Sequence, residues 1–349
     1  MACYHPLTGY ITGGLTASGK REIVFKIPCR DSPQIKLPCG QCIGCRLEYS
    51  RQWAIRCVHE AFIYTNNCFI TLTYSPEYLP TDGTLILRDF QNFMKSLRKK
   101  YVPINPHFKC TLAHIAHTEK HQIRFYHCGE YGEVCFYCKK PKPNKHPSHR
   151  RCSCETYTPS IGRPHYHACL FNFDFKDKVL FSQQRGNNLY TSHSLDKLWK
   201  KGHCLIGEVT FESAAYVARY IIKKQNGINA DSHYLVVDNT TGEITADRKP
   251  EYTTMSRRPG IGRAWLDKFQ GDIYPDDFVI LNGKKMRPPK FYDTQLELSD
   301  PSLFIEIKRK RKKSTAAHAC NNTPDRLQIR ETIQKYRLNM LERNLEETL

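Results

Sequence analysis

His165 and His167 flank Tyr166 in the run Arg163-Pro164-His165-Tyr166-His167-Ala168-Cys169-Leu170-Phe171, and Tyr216 and Tyr220 stand four apart in Ala215-Tyr216-Val217-Ala218-Arg219-Tyr220-Ile221-Ile222-Lys223. On a strand, side chains two apart share a face, so the imidazoles would lie roughly 7 Å apart and could grip one divalent cation. On a helix, residues four apart are neighbours at about 6 Å, so the phenols would form a pair. A phenol has a pKa near 10 and is a weak nucleophile until its proton is drawn off. Lys223, three residues beyond Tyr220, is placed to favour a phenolate or hold a phosphate.

Two imidazoles need a third, preferably anionic, ligand. Glu130, closing the β-rich run Gln122–Glu130, would stand beside them if 123–130 pairs antiparallel with 165–172. Two His and one Glu can make a catalytic zinc site; with places left for water and phosphate, magnesium or manganese would serve. Taken singly, each motif also fits a plainer role: half-buried histidines, or core aromatics on an amphipathic helix.

Sixteen cysteines form a second theme. Cys135, Cys138, Cys152 and Cys154 have ribbon-like spacing for structural zinc, with His146 and His149 as substitutes and Lys139, Lys140, Lys142, Lys145, Arg150 and Arg151 nearby to contact DNA. Cys39, Cys42 and Cys45 make a second candidate zinc set, with Cys3 or Cys29 as fourth ligand. Cys57, Cys68, Cys110, Cys169 and Cys204 lie in or beside apolar runs and read as small buried hydrophobes.

These groups need elements to hold them. Helices are expected over Arg46–Glu60, Arg88–Lys100, Ser194–Lys200, Ser213–Lys224 and the tail from Asp325; strands over Cys68–Tyr74, Gln122–Glu130, Pro164–Phe173 and His203–Phe211; and a hairpin over Ser232–Thr245. The chain divides into a Cys-rich segment with its helix (1–60), a nuclease domain (61–230) carrying a Cys-rich insert (133–161), an accessory DNA-binding segment (231–300), and a basic run with a C-terminal helix (301–349).

The chain has 349 residues, 53 Lys and Arg against 34 Asp and Glu, and a net charge of +19. That excess points to a polyanion, nucleic acid above all. Arg257, Arg258 and Arg263, and Lys308, Arg309, Lys310 and Arg311 in the run Lys308–Lys313, are the candidate DNA contacts. No stretch approaches the roughly 20 apolar residues of a membrane span, and no phosphate-binding loop for an ATPase is evident.

The ordered combination of His-x-His with Tyr-x-x-x-Tyr-x-x-Lys resembles the HUH superfamily of rolling-circle replication initiators, and within it the gokushovirus-type initiators of the Microviridae. Pro38–Arg56, Phe69–Tyr74, Cys128–Gly132, Gly162–Phe171, Phe211–Lys223 and Ser256–Gly262 carry the likeness. It implies an α+β HUH endonuclease fold, a central antiparallel sheet with helices packed on one side. Magnesium or manganese would be held by His165, His167 and Glu130, and Tyr216 and Tyr220 would be alternating nucleophiles supported by Lys223. The implied activity is cleavage of single-stranded or supercoiled phage DNA at its origin, leaving a 5′-phosphotyrosine and a free 3′-hydroxyl. A host polymerase and helicase would be partners, the displaced strand would be rejoined, and the work would be done in the cytoplasm of the bacterial host. The competing readings are a plasmid relaxase or single-strand transposase, and a non-enzymatic zinc-stabilised DNA-binding protein.

Overall fold

The run Asn67–Thr73 alternates β-branched, aromatic and small residues, and its five central side chains are all buried. A strand buried on both faces belongs at the middle of a covered sheet. The computed structural model puts it there. It describes residues 3–16, 21–29, 31–101, 122–135, 137–138, 140, 152–154, 156, 159–184, 187–219, 224, 229–238 and 241–340. These form two compact units, residues 1–52 with 293–349, and residues 53–292.

The first unit carries a three-stranded antiparallel sheet of β1 (Leu7–Leu15), β2 (Arg21–Val24) and β3 (Gln34–Leu37) in the order β2-β1-β3. The Gly- and Pro-rich N-terminal stretch gave no periodic signal for it. The helix Pro301–Ala317 starts on Asp300, whose carboxylate accepts the Leu303 amide at 2.9 Å, with a proline in the first turn. It contains the whole basic run Lys308–Lys313. The helix Pro324–Asn339 places Leu327 against Tyr4 and Cys42 in a small apolar cluster.

The second unit is built on a seven-stranded sheet. Its strands are β4 (Asn67–Thr73), β5 (Arg124–Cys135), β6 (Pro159–Phe171), β7 (Lys178–Gln184), β8 (Asn187–Ser192), β9 (Cys204–Gly207) and β12 (Tyr252–Met255). The order is β12-β5-β6-β4-β9-β8-β7, with antiparallel pairing throughout. Two small hairpins stand apart, β10 (Leu235–Val237) with β11 (Ile244–Asp247), and β13 (Val279–Leu281) with β14 (Lys284–Met286). The expected hairpin at Ser232–Thr245 is the first of these. β12, from the stretch read as accessory, is an edge of the main sheet.

Helices cover both faces of this sheet, not one as the resemblance implied. The helix Leu87–Tyr101 buries Phe90, Phe93, Met94 and Leu97 against Ile70, Leu72, Tyr166 and Leu170. The helix His193–Trp199 adds Leu195 and Trp199 to that core. On the other face, Trp53 of the helix Ile43–Phe62 stacks on Tyr126 at 4.5 Å, and the Cys57 thiol bonds to Cys169. Both faces of β4 and β6 are apolar, so both need a cover. Among the described residues no helix is long and apolar enough to cross a membrane.

Candidate metal and tyrosine site

β6 lies between β5 and β4, and its register decides what surrounds the histidines. Glu130 of β5 pairs with His165, Cys128 with His167, and Thr71 of β4 also with His167. Directly opposed residues share a face, so Glu130, His165, His167 and Thr71 converge on one side. Tyr166 points to the other side, where its hydroxyl meets Tyr74 at 2.9 Å and the Ile86 backbone at 2.9 and 3.0 Å.

Glu130 Oε1 stands 2.7 Å from His165 Nε2 and 2.8 Å from His167 Nε2. Glu130 has no exposed side-chain surface, His167 has 1% and His165 has 13%. The Arg163 carbonyl accepts His165 Nδ1–H at 3.2 Å, and His167 Nδ1 shares a 2.9 Å hydrogen bond with the Thr71 hydroxyl. With both Nδ1 atoms engaged by oxygens, each Nε2 is left to offer a lone pair at the same point. Metal-ligating histidines are oriented in this way. A sealed carboxylate facing two imidazoles needs a cation between them, a proton or a metal ion. The donor set fits a divalent cation, and its ligand atoms lie within 4.8 Å of one another.

Tyr216 reaches this point from the helix Phe211–Arg219. Thr210 and Ser213 cap that helix reciprocally: Thr210 Oγ1 accepts the Ser213 amide at 3.1 Å, and Ser213 Oγ accepts the Thr210 amide at 2.8 Å. Ala214 and Ala218 are fully buried, and such slim side chains let the helix lie close to the sheet. The Tyr216 ring stands edge-on to His167 with centroids 5.0 Å apart, and Phe69 stacks on the same imidazole at 5.6 Å. Tyr220 and Lys223 lie outside the described residues. So do His146, His149, Cys110 and, apart from Lys140, the basic residues expected around the second cysteine set.

The cysteines gather as spaced. The sulfurs of Cys3, Cys39, Cys42 and Cys45 lie within 4.8 Å of one another, as do those of Cys135, Cys138, Cys152 and Cys154. Cys3, not Cys29, completes the first set; Cys29 is exposed and bonds Ser32 Oγ at 3.0 Å. Amides support both sets. The Cys39 amide donates to Cys3 Sγ at 3.2 Å, the Cys42 amide to Cys39 Sγ at 3.2 Å, and the Cys154 amide to Cys152 Sγ at 3.4 Å. Both sets and the Glu–His cluster could hold metal ions. Cys57, Cys68, Cys169 and Cys204 are buried as expected.

The basic candidates divide. Arg257 and Arg258 are exposed on the loop 256–262, while Arg263 pairs with Asp267 at 2.7 Å. Arg311 is tied to Asp293 by two bonds of 2.7 and 2.8 Å, and Lys308 meets Glu297 at 3.2 Å. Arg309 and Lys310 are exposed. Sequence reasoning missed Thr71, which only the β4–β6 register reveals, and the buried ion pair of Arg124 with Glu60. That pair frames the arginine loop: Glu60 Oε2 accepts the Gly262 amide and Arg124 Nη2 donates to the Pro259 carbonyl, each at 2.7 Å.

Comparison with known proteins agrees with this arrangement. Residues 137–225 match a family model for replication-associated proteins of the ORF2 type, a span that includes both histidines and the tyrosine helix. The chain is 29% identical over 313 residues to the replication-associated protein VP4 of Bdellovibrio phage phiMH2K, covering 89% of this chain and 82% of that one. It is 30% identical over 291 residues to the replication-associated protein ORF2 of Spiroplasma virus 4, covering 79% and 73%. It is 26% identical over 275 residues to the replication-associated protein ORF4 of Chlamydia phage 1, covering 77% of this chain and 56% of that one. No solved structure matches. A basic chain with this length of likeness to three such proteins belongs to the replication-associated proteins of Microviridae-type bacteriophages.

Proposed function

We propose that this protein initiates rolling-circle replication of a phage genome by nicking origin DNA through a tyrosine nucleophile, in the manner of HUH endonucleases. The observation that carries the reading is the meeting of Tyr216 with His167, ring centroids 5.0 Å apart, beside a carboxylate held between two Nε2 atoms at 2.7 and 2.8 Å. Glu130, His165 and His167 hold magnesium or manganese. Such an ion, when bound, neutralises charge on the scissile phosphate and favours in-line attack. The phosphate enters by the His165 edge, the part of the cluster with the most exposed surface.

The Tyr216 phenol loses its proton to solvent, and its oxygen attacks phosphorus. A phenol–phosphorus bond forms, the bond from phosphorus to the 3′-oxygen breaks, and the 3′-oxygen takes a proton from water. The product is a 5′-phosphotyrosine with a free 3′-hydroxyl. The ester conserves the energy of the broken bond, so the linked end can be passed on to another hydroxyl. Tyr220 is the second nucleophile, which permits two successive transfers, and Lys223 steadies phenolate or phosphate. A host polymerase extends the 3′-hydroxyl, and a host helicase opens the duplex ahead. Arg257 and Arg258 grip the strand. Their loop leaves the sheet where the Ser256 amide bonds the Phe125 carbonyl, so it lies roughly 17 Å along β5 from Glu130, a span of about three nucleotides.

Incubating single-stranded origin DNA with the protein and manganese tests this. A covalent adduct that survives denaturant is expected. Replacing Tyr216 and Tyr220 together by phenylalanine abolishes it, while His165→Ala stops cleavage and leaves DNA binding largely intact. Full adduct from the double variant would remove the tyrosines from the reaction. A loss of binding without any adduct in the parent protein would favour a non-enzymatic DNA-binding protein.

A further inference from the structure

The strand pair that carries Glu130 and His165 ends in a set of four thiols. Glu130 pairs with His165; after a bulge between Tyr131 and Glu133 the ladder resumes with Glu133 opposite Ile161, Val134 opposite Ser160 and Cys135 opposite Pro159. Gly162 permits the close approach at the bulge, since a Cβ there would stand 2.9 Å from the Gly132 carbonyl. A tight turn would normally fix such a register. Here the connection runs from 136 to 158, too long to specify one. A slip of one residue would turn Glu130 to the face opposite the two histidines.

Something other than the turn must therefore close the hairpin. Cys135 is the last residue of β5, and Cys152 and Cys154 shortly precede β6. Cys135 and Cys154 sulfurs lie 3.9 Å apart, and all four sulfurs of the set lie within 4.8 Å of one another. A zinc ion with Zn–S bonds of about 2.3 Å at a tetrahedron's centre sets its sulfurs about 3.8 Å apart. A disulfide would bring two of them to about 2.05 Å, and these cysteines are free. The Cys135 amide donates to the Lys140 carbonyl at 2.7 Å, which folds the Cys-x-x-Cys segment back on itself. Cys135 is fully buried and Cys152 is 5% exposed, so the set is closed, as structural zinc sites are and catalytic ones are not.

We propose that Cys135, Cys138, Cys152 and Cys154 bind a structural zinc ion that locks the register of β5 on β6 and thereby keeps Glu130 opposite His165. The zinc site stands on its own geometry. Its consequence rests on the reading of Glu130, His165 and His167 as a metal grip, and the two parts fail in different measurements.

The test uses the full-length protein. In the zinc-replete native chain, these four cysteines resist iodoacetamide, and all four are labelled once a chelator has removed zinc. Cys152→Ser with Cys154→Ser yields a protein with one zinc fewer per chain than its parent, whatever the thiols of the first unit hold. Manganese affinity, followed by electron paramagnetic resonance, falls about tenfold or more in that variant, the size expected when a ligand loses its support. Cys154→His, which restores a ligand, recovers both zinc and manganese binding and separates ligand loss from misfolding. Equal zinc content in parent and double variant, free alkylation of the native thiols, or iron or a disulfide in place of zinc overturns the site. Zinc lost with manganese affinity unchanged overturns the register lock. Glu130→Gln keeps its zinc and loses manganese; manganese retained there would instead sink the metal-grip reading and leave the zinc count standing.

Discussion

A carboxylate sealed from water keeps its charge only where neighbours compensate it, and Glu130 has two imidazoles within 2.8 Å and no exposed surface. Thr71 acts one step further out, through the 2.9 Å bond that orients His167. We expect Thr71→Val to preserve the fold and to weaken manganese binding about tenfold, read by the same resonance titration. The three direct ligands were legible in sequence because His-x-His has a strand period and an acid follows an apolar run. Thr71 was not, because it is 96 residues from its partner and nothing local marks one threonine of β4 among its neighbours. Tyr252, which sequence allowed as a base-stacking platform, instead packs in β12 over Gly129, where an added Cβ would meet its ring at 2.9 Å.

At the scale of elements, local periodicity reached what lies within one strand or helix. The helix Leu87–Tyr101, the strand Asn67–Thr73 and the β10–β11 hairpin fall close to their expected places. The pairing of 123–130 with 165–172 was legible too, since alternate faces leave one register that joins the acid to the histidines. The insert is narrower than sequence implied. β5 continues to Cys135 and β6 begins at Pro159, because paired strands run on past the residues whose composition reads as loop. The short N-terminal strands, interrupted by glycines, and the helical state of Lys308–Lys313 escaped notice because neither carries an apolar period. The buried pair of Glu60 and Arg124 spans 64 residues and was equally invisible. Removing one partner of such a pair costs about 3–5 kcal/mol. Glu60→Ala should lower unfolding stability by that amount in urea and also free the Gly262 amide, so that proteolysis of the loop 256–262 becomes faster.

The whole molecule carries a formal charge of +19, and its exposed arginines and lysines are its handle on a polyanion. Arg309 and Lys310 are exposed, whereas Arg311 is committed to Asp293. Replacing Arg309 and Lys310 by alanine should reduce the salt slope of single-strand binding by about 1.4, the release of two phosphate contacts, whereas Arg311→Ala should chiefly lower stability. Stability itself depends on pH through buried histidines. Burial pushes His59 down to about 3, and burial followed by the charge of His167 holds His127 well below the ordinary value. Both stay neutral in the folded chain while the unfolded chain takes up their protons below about pH 6.5. Stability is therefore full above that pH and falls as pH drops toward the folded pKa. His59 alone accounts for about 2 kcal/mol between pH 7 and 5. The three tryptophans, Trp53, Trp199 and Trp265, all lie within residues 53–292, so urea titrations followed by their fluorescence report on that unit. His59→Phe should flatten the slope by one proton.

The central claim is that a phenol of this chain becomes bonded to phosphorus beside the Glu130–His165–His167 cluster. Digesting the manganese-dependent adduct and sequencing the DNA-bearing peptide by mass spectrometry names the attacking side chain. The account predicts a nucleotide ester on Tyr216, shifting to Tyr220 when Tyr216 is phenylalanine. An ester on any residue outside Phe211–Lys223, or cleavage that never leaves a covalent bond, would contradict it.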